Sequence, residues 1–113
     1  MPHVSMEFSK GLEKTYDIQS VCDQLYDVLA DQDVFDPPTI KIRATSVEFF
    51  RIGTEPQTFV HATLLLMDGR DELTRAQLNT TIADLLRKVL PDVGSITVQD
   101  VEMTLASYAK RLL

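Results

Sequence analysis

The chemistry this chain could perform starts at its second residue. Pro2 stands at the head of an alternating stretch, His3-Val4-Ser5-Met6-Glu7-Phe8. An initiator methionine is ordinarily trimmed ahead of a residue as small as proline, and trimming would leave Pro2 as a terminal secondary amine. The pyrrolidine ring fixes that amine's geometry. An α-amino group titrates near about 7.7–8.0 in model peptides, closer to neutrality than lysine. Desolvation and neighbouring cations lower the value further and favour the neutral, proton-accepting form. A base tuned near the working pH is what general base catalysis needs. The plainer reading of Pro2 is a residue tolerated at a strand start.

Lys41 and Arg43 shift the balance towards chemistry. They alternate onto one face of a second expected strand. Beside a terminal amine they would depress its pKa and bind anionic groups on a substrate. Arg70, in the loop before a later helix, and Arg51, near a strand end, are further cations of this kind. Each of them alone reads equally well as solvated surface charge.

Other reactive side chains suggest less. Cys22 falls on the apolar stripe of an expected helix and reads as a small buried hydrophobe. His3 and His61 occupy strand positions, where a base and a satisfied structural histidine are both open readings. The serines have no His-Asp company. Asp31, Asp33 and Asp36 suggest a calcium loop, but the sixth and twelfth places from Asp31 hold Asp36 and Ile42, not the glycine and carboxylate an EF-hand requires. No glycine-rich phosphate loop is present, and Gly69 stands alone. No metal site is expected.

Composition narrows the class. The 113 residues are 44% hydrophobic and 25% charged, the make-up of one globular domain. The net charge of −6 argues against a general nucleic-acid or membrane-surface binder. One cysteine rules out a disulfide framework. No apolar run approaches the roughly 18 residues of a membrane span. The first residues lack the cationic and apolar regions of a signal peptide. These features point to a reducing, cytoplasmic setting.

The elements that must position these residues can be read from periodicity. Val4, Met6 and Phe8 mark a first strand, and residues 10–16 read as a polar loop. Asp17 is a candidate N-cap, followed by an amphipathic helix with Ile18, Val21, Cys22, Leu25, Val28 and Leu29 on one stripe. Residues 31–38, with Pro37-Pro38, end it. Residues 39–51 read as a strand, 53–56 as a turn and 59–67 as a strongly apolar strand. Thr74-Arg75-Ala76-Gln77 matches a capping box, ahead of a second stripe of Leu78, Ile82, Leu85, Leu86 and Val89. Ile96 and Val98 begin a last strand, and residues 104–113 read as a short terminal helix.

The order is β-α-β twice, within one domain spanning 1–113, with a pseudo-repeat of about 2–51 and 57–103. The expected fold is α/β (α+β): a four-stranded sheet with two helices on one face. Phe59, Val60, Ala62, Leu64, Leu65 and Leu66 read as apolar on both sides of their strand, and such strands are usually buried on both faces. Either a partner subunit or the C-terminal segment would have to cover the second face.

Several pieces together resemble the 5-carboxymethyl-2-hydroxymuconate delta-isomerase family of the tautomerase superfamily. They are Pro2-His3-Val4 with Glu7 and Ser9, the strand holding Lys41 and Arg43, Phe59-Val60-His61-Ala62-Thr63-Leu64, and Gly69-Arg70 leading into Thr74-Arg75-Ala76-Gln77. The resemblance spans roughly residues 2–105. It implies a trimer with sheets facing inward and catalysis by an amino-terminal proline without cofactors. The substrate would be an unsaturated enol or oxo acid bearing several carboxylates, met in aromatic-compound breakdown. Pro2 would move a proton to carbon five of the conjugated system. Lys41, Arg43 and Arg70 would hold carboxylates, and Phe49 or Phe50 would keep the pocket dry. Two features depart from the family pattern: Lys41 offers a point charge where an arginine's fork is expected, and Asp71-Glu72 adds negative charge after Arg70. Two alternatives stand beside this reading: a non-catalytic oligomeric binding module on the same fold, and a tautomerase for a smaller phenylpyruvate-like enol.

Overall fold

A computed structural model describes residues 1–113. The chain runs β1 (His3–Ser9), α1 (Leu12–Thr15), α2 (Ile18–Ala30), β2 (Lys41–Val47), β3 (Phe59–Met67), α3 (Glu72–Val89) and β4 (Ser95–Met103), with 3-10 turns at Pro37–Thr39 and Leu105–Ser107. The sheet order is β2-β1-β3-β4. β1 is parallel to β2, β3 is parallel to β4, and β1 and β3 meet antiparallel at the centre. Two β-α-β units therefore share one sheet, and β2 and β4 are its two edges.

The helices cover one face. Val4, Met6 and Phe8 of β1 and Val60, Ala62, Leu64 and Leu66 of β3 are buried with Val21, Leu25 and Leu29 of α2 and Leu78, Ile82 and Leu86 of α3. These are the alternate positions of the strands and one stripe of each helix, so apolar periodicity dictates which way each element faces. Asp17 caps α2, its carboxylate accepting from the Ser20 amide at 3.1 Å.

Five expectations need correction. Residues 10–16 are not all loop, because Leu12 buries its side chain and pins the turn α1. The strand expected over 39–51 is shorter, since Thr39 belongs to the Pro37–Thr39 turn and pairing stops at Val47. Helix α3 starts a turn before the Thr74 box. The Asp71 carboxylate accepts from the Thr74 amide at 2.8 Å and so is itself the N-cap. The expected helix over 104–113 is a single 3-10 turn. Its Leu105, Leu112 and Leu113 are exposed, so no apolar stripe is buried to support a helix.

The fifth correction concerns the open face. Of the β3 residues read as apolar on both sides, Val60, Ala62, Leu64 and Leu66 all point under the helices. Register places Phe59, His61, Thr63, Leu65 and Met67 on the other face, beside Glu7, Ser5 and His3 of β1 and Thr97, Gln99 and Val101 of β4. That face is polar at its centre. Gln99 donates to His61 Nε2 at 2.9 Å, and His61 Nδ1 lies 2.6 Å from Thr97 Oγ1. A side-chain amide N–H can only donate, so His61 carries its proton on Nδ1 and donates to Thr97.

Candidate functional site

The parallel pairing of β1 and β2 brings Pro2 and Lys41 to the same end of the sheet. The Lys41 amide donates to the Pro2 carbonyl at 3.0 Å, and His3 pairs with Lys41. The Pro2 side chain is fully buried. The turn before β2 supplies a polar anchor. Thr39 Oγ1 accepts from the Met1 amine at 3.0 Å and donates to the Asp36 carbonyl at 2.6 Å. Lys41 Nζ donates to the Thr39 carbonyl at 2.9 Å, which folds its charge back over the chain terminus.

Burial pushes the terminal amine's pKa down from 8.0, and the charges of Lys41, Lys110 and Arg70 push it further, with Asp36 opposing. Three cations from three separate segments thus act on one amine. Arg70 reaches this corner because Gly69, at φ 106°, turns the chain between β3 and α3 through a conformation that side-chain-bearing residues rarely adopt. The Arg70 guanidinium donates to the Val34 carbonyl at 2.7 Å and lies over the Phe35 ring at 5.6 Å. Its Nε is buried without a partner.

On the open face beside this corner, Arg43 donates to His3 Nδ1 at 3.0 Å, and His3 Nε2 lies 2.7 Å from the Tyr108 hydroxyl. Burial holds His3 below its ordinary 6.5, aided by Arg43, Lys41 and the chain terminus.

Pro2, Lys41, Arg43 and Arg70 therefore gather at one corner. Arg51, Phe49 and Phe50 do not. They follow β2, at the opposite end of the sheet from Pro2, and Phe49 is 87% exposed. The largest concavity, about 380 Å³, is formed by the 50–57 loop at that far end. It holds none of the gathered cations, so chemistry rather than size picks out the N-terminal corner. Sequence reasoning missed Thr39, Tyr108 and Lys110. Thr39 falls in the stretch read as a strand, and the other two fall in the segment read as helix.

A four-stranded sheet of paired β-α-β units, with its long helices on one face, defines a small α+β fold of the tautomerase type. A family model described as 5-carboxymethyl-2-hydroxymuconate isomerase matches residues 2–109, and the chain belongs to that family. Solved structures agree on the fold. A 5-carboxymethyl-2-hydroxymuconate isomerase from Deinococcus radiodurans R1 is 23% identical with a TM-score of 0.84, over 99% of this chain and 90% of that one. A 5-carboxymethyl-2-hydroxymuconate delta-isomerase is 20% identical with a TM-score of 0.81, over 99% and 88%. A fused 4-OT described as a symmetric trimer is 18% identical with a TM-score of 0.69, over 96% and 93%. Among curated proteins none matches the sequence significantly.

Proposed function

We propose that this protein is a cytoplasmic, cofactor-independent isomerase of a carboxylated enol such as 5-carboxymethyl-2-hydroxymuconate, with Pro2 as general base once Met1 is removed. The carrying observation is the terminal amine held on Thr39 with Lys41 folded onto the same residue, in a setting where burial first, and then the charges of Lys41, Lys110 and Arg70, lower the amine's pKa. A Pro2 nitrogen would sit one residue deeper than the Met1 amine, beside a side chain that is already fully buried. Both desolvation and the cationic field then favour its neutral form.

In the reaction the amine takes the proton of the substrate's 2-hydroxyl. The electron pair runs through the conjugated system, and the same proton is returned at carbon five, so the enzyme ends unchanged. Lys41 and Arg70 bind carboxylates, and Arg43 adds charge on the open face. Cations fixed in place before the reaction stabilise the enolate as its charge develops. The 4-OT neighbour is described as a trimer, and a trimer is the assembly proposed here. A second copy of the chain would supply the apolar wall that Phe49 and Phe50 cannot give from the far end of the same sheet.

The test is an ultraviolet assay on untagged protein whose intact mass shows Met1 gone. Pro2→Ala is expected to lower kcat by about 10²–10⁴, and one residue added before Pro2 should do the same. Equal turnover in all three proteins would remove Pro2 from the chemistry.

A further inference from the structure

The tail after β4 is tied to the rest of the fold at one point. Residues 104–113 make only local hydrogen bonds among themselves, apart from the Tyr108 hydroxyl on His3. Tyr108 is half-buried while residues 104–107 and 109–113 are exposed. Lys110, two residues on, contributes to the field at the terminal amine. The tail is thus held against the N-terminal corner by one phenol and brings a cation with it.

The direction of the hydrogen bonds follows from donor chemistry. A guanidinium can only donate, so His3 Nδ1 must accept from Arg43. The proton of the neutral ring then sits on Nε2, which donates to the Tyr108 oxygen. The Tyr108 O–H hydrogen is then engaged by no other group of the protein. Arg43, His3 and Tyr108 form a chain that runs one way and ends in a free donor.

We propose that Tyr108 is a substrate-contacting residue of this site, its hydroxyl hydrogen aimed at an anionic oxygen of the substrate and His3 acting as its positioning residue. This rests on reading the N-terminal corner as the site for a carboxylated substrate. It adds an uncharged donor to a set otherwise made of cations, and it gives the C-terminal tail a role in binding.

The test uses the full chain with Met1 removed and glutarate as the probe. Nitrogen NMR of His3 should show Nε2 protonated and Nδ1 bare. Tyr108→Phe should weaken glutarate binding about tenfold, the scale of a lost hydrogen bond to a charged group. The histidine variants separate positioning from packing. His3→Gln places an amide N–H near the Nε2 position and should keep most of the affinity. His3→Asn reaches only the Nδ1 position and should behave like Tyr108→Phe. Unchanged glutarate affinity in a folded Tyr108→Phe protein overturns the proposal, as does a proton found on Nδ1. Turnover is read separately. A wild-type protein that binds glutarate in this pattern but does not isomerise the dienol loses the isomerase reading and keeps Tyr108 as an anion contact. Pro2-dependent turnover with Tyr108→Phe unaltered in both KM and glutarate binding sinks the Tyr108 proposal alone.

Discussion

His3 stays neutral in surroundings that oppose its protonation, and this has a measurable cost in acid. Its folded pKa lies below the ordinary 6.5 because of burial, Arg43, Lys41 and the terminus. The unfolded chain therefore takes up a proton here before the folded one does. The stabilising contribution is complete above pH 6.5 and is lost as pH falls from there through the folded-state value. Urea midpoints measured at pH 7.5 and 5.5 should fall further for wild type than for His3→Gln, and equal falls would remove His3 from the linkage. The same protonation would convert Nδ1 from acceptor to donor and turn it against Arg43. Arg43 had been read as a direct carboxylate ligand. Its contact with His3 shows a second use for the same charge, which no spacing rule could have revealed because the partners are 40 residues apart.

At the scale of elements, the strands and long helices were legible because each buries one apolar stripe. Ile82 illustrates this: it lies on the expected stripe and is fully buried between α3 and the sheet. Ile82→Ala should cost about 2–5 kcal/mol, read from a denaturant midpoint with unchanged slope. Helix starts were less legible, because competing caps look alike in sequence. Thr74-x-x-Gln77 fits a capping box, yet the Asp71 carboxylate reaches the Thr74 amide first. Asp71→Ala should therefore lower the denaturant midpoint visibly more than Gln77→Ala, and the reverse order would restore the later start. Hydrogen bonds to Thr74 hold the Asp71 carboxyl below its ordinary 3.8, so the cap should persist well into mild acid. The tail, which reads as a short helix in the sequence, is not one, because nothing in the fold receives Leu105, Leu112 and Leu113.

For the whole molecule, one face of the sheet is closed by helices and the other is a polar field of His61, Thr63, Thr97 and Gln99. The case for a partner built on a doubly apolar β3 is thereby weakened, and the proposed trimer must be judged by other features. Those are the free edges of β2 and β4, the exposed Phe49, and the distance between the 50–57 loop and the site it was expected to wall. Sedimentation should show a species about three times the chain mass, and a Phe49→Ser variant should shift it towards monomer. A monomer at every concentration would leave the site to one chain.

The unpaired edges of β2 and β4 also bear on how the protein's stability is to be expressed. In the proposed trimer these edges would pair with copies of the same chain, and the assembly would melt by a reaction that changes the number of particles. Its Tm would then rise with protein concentration, as for any fold stabilised by mass action. Two laboratories working at different dilutions would report different melting points for identical samples. The slope of Tm against the logarithm of concentration would count the chains that separate on unfolding.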